Sequence, residues 1–279
     1  MCRFSLALLL ALFVALVGSS ADAKTTCFDQ TLCIEKKQER NRIHFTVRNL
    51  KSFMTISGKI SLITTNMQVI AGDDGPFVLN GGESRQLFTL EGTADGQWQY
   101  HQSQAWVRGD YRKQPNEGYI YELPFRSGSS FSILQGCDSD YTHQAHDAKS
   151  IDFDMPVGAE VYAARGGLIV DMKEDSLIGG SNPALRAAGN KIIIEHDDGT
   201  MAQYGHLQHE GVVVELGKRV EKGQLIGFSG NTGYSSHPHL HFGVTSATKA
   251  GTAKSLAIAF QSANGTVVCP KVNTKITRP

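Results

Sequence analysis

Short β-rich runs, each cut off within about ten residues by a glycine or an Asp-Gly or Gly-Pro turn, set the limits on what this chain can fold into. Between Ile43 and Leu123 they are Ile43-His-Phe-Thr-Val, Gly58-Lys-Ile-Ser-Leu-Ile-Thr, Gln86-Leu-Phe-Thr-Leu, Trp98-Gln-Tyr, Ala105-Trp-Val and Tyr119-Ile-Tyr-Glu-Leu. Turns such as Asp73-Asp-Gly-Pro76, Asn80-Gly-Gly82 and Asp95-Gly96 separate them. Alternating runs at this spacing predict a small antiparallel β-sandwich. Trp98 and Trp106 are expected in its core, and His44 and His101 carry no acidic or cysteine partner at ligand spacing.

Beyond Pro124-Phe-Arg-Ser-Gly-Ser-Ser130, read as a linker, the texture changes. Lys191-Ile-Ile-Ile-Glu-His196 turns at Asp197-Asp-Gly-Thr200 into Met201-Ala-Gln-Tyr-Gly-His-Leu207, which predicts a tight hairpin. Continued alternation would put Tyr204 and His206 on one face. Asn182-Pro-Ala-Leu-Arg-Ala-Ala-Gly189 predicts one short helical piece with an Asn cap and Pro at its first position. The expected organisation is therefore mostly β: a signal peptide over 1–23, a sandwich-like accessory domain over 24–125, and a second antiparallel β-sheet domain with a groove over 126–279.

The leader is read from a short positive start, the apolar stretch Phe4–Val17 and the small-x-small site Ala21-Asp-Ala23. It predicts a secreted or periplasmic protein, with no membrane contact after cleavage. The 27 basic and 27 acidic residues balance, and the leader takes Arg3 and Asp22 with it, so charge argues against a nucleic-acid partner. Of 5 cysteines, Cys27, Cys33, Cys137 and Cys269 lie beyond the leader. An even number in an exported chain suggests disulfides, with three possible connectivities, and Cys27–Cys33 with Cys137–Cys269 is favoured.

His237-Pro-His-Leu-His-Phe242 carries the chemistry. In a strand, His239 and His241 point to one face, where two imidazoles place a metal ligand and a proton-transfer group side by side. Several further motifs follow in order: Thr142-His143-Gln144, Ser150-Ile-Asp-Phe-Asp-Met-Pro-Val-Gly158, Tyr204-Gly-His-Leu207, Gly223-Gln-Leu-Ile-Gly227 and Gly230-Asn-Thr-Gly233. Together, over about residues 120 to 250, the series resembles the lysostaphin/LytM-type zinc metalloendopeptidases.

That resemblance implies an antiparallel β-sheet catalytic domain with a substrate groove, one Zn2+ and hydrolysis of peptide bonds in bacterial peptidoglycan. Position by position, it implies His143, Asp152 and His241 as metal ligands and His206 and His239 as catalytic residues, with Tyr204 as a candidate assistant. His143 and Asp152 stand nine apart, whereas the family's short form has four, and His146 remains the alternative first ligand. Two other readings stay open: an inactive adaptor regulating another wall hydrolase, and an endopeptidase acting on glycine-rich proteins.

Overall fold

The computed structural model describes residues 23–93, 97–137 and 147–279. The leader, except Ala23, and both candidate first ligands, His143 and His146, lie outside the described residues. Among the described residues no helix is long and apolar enough to cross a membrane.

Strand alternation builds the first half. In Arg42–Asn49 the residues Ile43, Phe45 and Val47 are buried, while those between them are half-buried or exposed. This strand is the centre of a five-stranded antiparallel sheet, in the order Ala23–Phe28, Leu32–Glu39, Arg42–Asn49, Ser84–Gly92, Met67–Gly72. A second sheet pairs Ile56–Thr65 with Pro76–Leu79 on one side and Gln99–Arg108 on the other. The two share one apolar cluster, in which Phe45 and Phe88 stack at 4.6 Å beside Ile56, Ile60 and Phe77. Each such side chain contributes about 1.5–3 kcal/mol by leaving water. Cys27 and Cys33 are joined across paired strands, closing the first hairpin.

The second half is dominated by an antiparallel sheet whose central strands run Gly167–Lys173, Lys191–Glu195, Met201–Gly205, Leu240–Ala247, Ile151–Phe153 and Ser130–Gln135. The expected hairpin is present, with Lys191 opposite Gly205 and Glu195 opposite Met201. Gly199 supplies the left-handed turn conformation at φ 81°. One face of the sheet sends Ile192, Ile194, Ala202, Tyr204, Leu240 and Phe242 into the main core. On the other face Val170, Ile193 and Met201 join the apolar cluster of the first half. That cluster therefore spans both halves of the chain.

The chain closes on itself at its end. Ala259–Ser262 pairs in parallel with Ile120–Glu122, and Cys269 is bonded to Cys137 across 132 residues. The segment after Asn182 is a 3-10 helix, Pro183–Ala188. Asn182 accepts from the Ala184 N–H as expected of a cap, whereas Gly189 is extended at φ −63° and provides no left-handed stop.

His196, at the hairpin turn, is buried, with Nδ1 2.8 Å from the Gly166 carbonyl oxygen and Nε2 without a partner. Burial pulls its pKa down to about 4, against the opposing hydrogen bond to Gly166. A neutral folded His with an ordinary unfolded pKa stabilises fully above pH 6.5 and loses that contribution as pH falls towards 4. We expect the unfolding free energy to fall by roughly 3 kcal/mol across that window on this residue's account. Denaturant titrations at several pH values should show a shallower decline for His196→Gln; an identical slope would remove His196 as the cause.

Candidate metal centre

Sheet register brings the site together. Asp152 is the middle residue of Ile151–Phe153, whose flanking side chains are fully buried in the main core, so its carboxylate projects from the opposite face. It stands directly across from His241 in the neighbouring strand, and Gly205 stands across from His241 on the far side. A Cβ on Gly205 would lie 3.3 Å from that of His241, so glycine leaves room for the imidazole. Asp152 Oδ1 lies 2.9 Å from His241 Nδ1, and Gln135 Nε2 donates to Oδ2 at 2.8 Å.

His206 and His239 sit at strand ends instead of within strands. His239 precedes Leu240–Ala247 and is tied by its backbone N–H to the Gly230 carbonyl. His206 follows Met201–Gly205 at φ 59°, an uncommon left-handed conformation for a side-chain-bearing residue that recurs where geometry serves function. This turn breaks the alternation that would have put Tyr204 beside it. Tyr204 instead lies in the main core against Phe242, its hydroxyl accepting from the Ala164 N–H at 2.8 Å, and burial raises its pKa. Tyr204 is thus a core residue.

The hydrogen bonds fix the protonation geometry of both histidines. His206 Nδ1 is 2.7 Å from the Thr232 carbonyl oxygen, and His239 Nδ1 is 2.9 Å from that of His237 and 3.1 Å from Ser235 Oγ. Carbonyl oxygens only accept, so Nδ1 carries the proton in each ring and Nε2 keeps its lone pair. The two rings lie 4.6 Å apart, that of His206 is 5.9 Å from His241, and His239 Nε2 is 3.8 Å from Asp152 Oδ2.

Asp152, His239 and His241 are each more than nine-tenths buried. Burial, with the neighbouring His239 and His241, holds the His206 pKa near about 3. Burial also lowers that of His239 against the pull of Asp152. For His241 burial acts downward, but the hydrogen bond and charge of Asp152, with Asp147, outweigh it and raise the pKa. The proton-transfer candidates are thereby neutral, and the one imidazole bonded to carboxylate is the one drawn towards positive charge.

This donor set fits a zinc ion. A carboxylate oxygen and an imidazole nitrogen 2.9 Å apart are close enough for one ion to hold both, because zinc bonds to such atoms run about 2.0–2.2 Å. Among the described residues no group of three His, Cys, Asp or Glu is placed to hold a metal, and the expected third ligand lies outside them. The donors open onto a groove of about 480 Å³ lined by His206, His237, His239, Arg186, Lys191 and Tyr234 among others.

Four of the five expected residues, Asp152, His206, His239 and His241, are therefore assembled at one place. Gln135, Ser235 and the Thr232 carbonyl escaped sequence reasoning. Ser235 stands four residues before His239 and was within reach of a local reading. Gln135 had no signal, because only the strand register brings it to Asp152.

The class of domain follows from comparison with known proteins. Residues 146–253 match the family model described as Peptidase family M23, and this stretch of the chain is a domain of that family. The matched stretch starts at His146 and leaves His143 outside it. The chain is 37% identical over 91 residues to the peptidoglycan DD-endopeptidase ShyA of Vibrio cholerae, covering 33% of this chain and 18% of the relative. To the glycyl-glycine endopeptidase ALE-1 of Staphylococcus capitis it is 44% identical over 93 residues, covering 33% and 23%. The chain thus spans under a quarter of the length of either. The lysostaphin catalytic domain from Staphylococcus simulans overlays with a TM-score of 0.31 at 30% identity, covering 50% of this chain and 86% of that one.

The tautomers make a direct prediction. Long-range nitrogen–proton NMR correlations at neutral pH should find His206 and His239 both as the Nδ1–H form. A ring of either protonated at Nε2 alone would contradict the carbonyl contacts.

Proposed function

We propose that this chain is an exported zinc metalloendopeptidase that hydrolyses peptide bonds in bacterial peptidoglycan. His143, or alternatively His146, would complete the zinc site with Asp152 and His241, and His206 and His239 would be the catalytic pair. Residues 1–23 are a cleaved leader, 24–125 an accessory domain and 126–279 the peptidase domain in this reading. The observation that carries it is the buried Asp152–His241 donor pair facing two neutral histidines whose Nε2 lone pairs are unblocked.

Bound there, zinc supplies Lewis acidity, which polarises the scissile carbonyl and makes water acidic near neutral pH. The protein's own part is proton handling. A neutral Nε2 accepts the proton of the attacking water, and the resulting imidazolium can return it to the leaving amine. The second histidine presents the same Nε2 lone pair and accepts a hydrogen bond from the attacking water, which orients it. The carbonyls of Thr232 and His237 keep both rings aimed through these steps. Gln135 holds Asp152 by its second oxygen, the outer support that ligating carboxylates require.

Metal analysis and kinetics on the same preparations test this. The purified protein should contain one zinc, and chelation should abolish the release of peptides from purified peptidoglycan. Asp152→Ala and His241→Ala should lose zinc and activity together. Gln135→Leu should keep its fold and bind zinc about 10- to 100-fold more weakly. His206→Ala and His239→Ala should retain zinc while kcat falls by about 10²- to 10⁴-fold. New amino termini, found by mass spectrometry, are the expected products; new reducing sugar ends, or activity indifferent to chelation, would end this reading.

A further inference from the structure

The groove carries a guanidinium that the hydrolytic reading leaves unused. Arg186 lies in the Pro183–Ala188 helix at the groove rim, stacked over Tyr234 with its guanidinium carbon 4.8 Å from the ring centroid. Several other arginines meet carboxylates: Arg108 meets Asp171 at 2.6 Å, Arg126 meets Glu160 at 2.6 Å and Arg165 meets Asp198 at 2.8 Å. Among the described residues Arg186 has no such partner. One side of its guanidinium is covered by the Tyr234 ring, and its N–H donors, unpaired with any described carboxylate, suit bidentate capture of one.

The wall beside it is also cationic. Lys191 lines the same groove, and its only described counter-charge, Asp171 at 3.5 Å, is engaged more closely by Arg108. Of the described acids lining the groove, Asp152 belongs to the donor pair with His241, and Asp147 is the other. Arg186 and Lys191 therefore line the same groove as His206 and His239.

We infer that Arg186, held by Tyr234 and backed by Lys191, is a specificity-determining residue that binds a free carboxylate on the substrate near the scissile bond. The substrate class is then a peptide cross-link that carries a free carboxylate beside the cleaved bond, in preference to an uncharged glycine run. This rests on the hydrolytic reading above and narrows it.

The test uses the mature full-length protein and two probes: a cross-linked muropeptide dimer with its free side-chain carboxylate, and the same dimer amidated at that carboxylate. The wild type should favour the free acid by about tenfold to a hundredfold in kcat/KM, the range for a charge-assisted bidentate contact. In Arg186→Gln the ratio should collapse towards one through a rise in KM for the acid with kcat retained, and Arg186→Lys should restore part of it. Equal use of both probes by the wild type, or equal slowing of both by Arg186→Gln, would overturn the inference. Calorimetric binding of the two probes to wild type and Arg186→Gln separates this inference from the hydrolytic reading. If neither probe is cut, the hydrolytic reading fails, and Arg186 stands or falls on whether the acid binds more tightly and loses that advantage in Arg186→Gln.

Discussion

The pairing of Ile151–Phe153 with Leu240–Ala247 is the constraint on which the site depends. It is one antiparallel register, with Asp152 opposite His241, between segments 89 residues apart in sequence. A slip of one residue would turn Asp152 into the apolar core and bring Ile151 or Phe153 out to the groove. The register is enforced from behind, because Ile151, Phe153, Leu240 and Phe242 are all fully buried in the main core. The polar pair is thus fixed by the hydrophobic demands of the face it does not share.

Buried charge in such a place is costly unless matched. The protein meets this by setting Gln135 and His241 against the carboxylate and by keeping His206 and His239 uncharged. Backbone carbonyls hold Nδ1 of His206 and His239, and backbone is the hardest part of a protein to displace. The aim of both rings is therefore set by loops locked to strand ends.

Much of this was legible in the sequence for physical reasons. Asp-Gly turns between β-branched runs announced the hairpin, and alternation in Arg42–Asn49 announced the buried face. The motif series singled out Asp152, His206, His239 and His241, and the fold brings these four side chains together. What stayed hidden depends on single backbone angles or on register. Tyr204 was placed beside His206 by alternation, and one left-handed residue sends them to opposite sides. Gln135 reaches Asp152 through strand pairing, and the Arg186–Tyr234 stack needs the helix to dock beside Gly233–Tyr234. Composition also could not say that Val170, Ile193 and Met201 would complete the apolar cluster of the first half.

The bond between Cys137 and Cys269 encloses the Asp152 strand, the hairpin and the His239–His241 segment in a single covalent ring. A backbone cut at an exposed loop inside that ring, such as Leu177–Ile178 or Val213, leaves the two fragments still joined covalently through that one bond. The sheet could then hold its strands in place as a noncovalent assembly. Survival after nicking is a property that topology confers here independently of how tightly the core is packed.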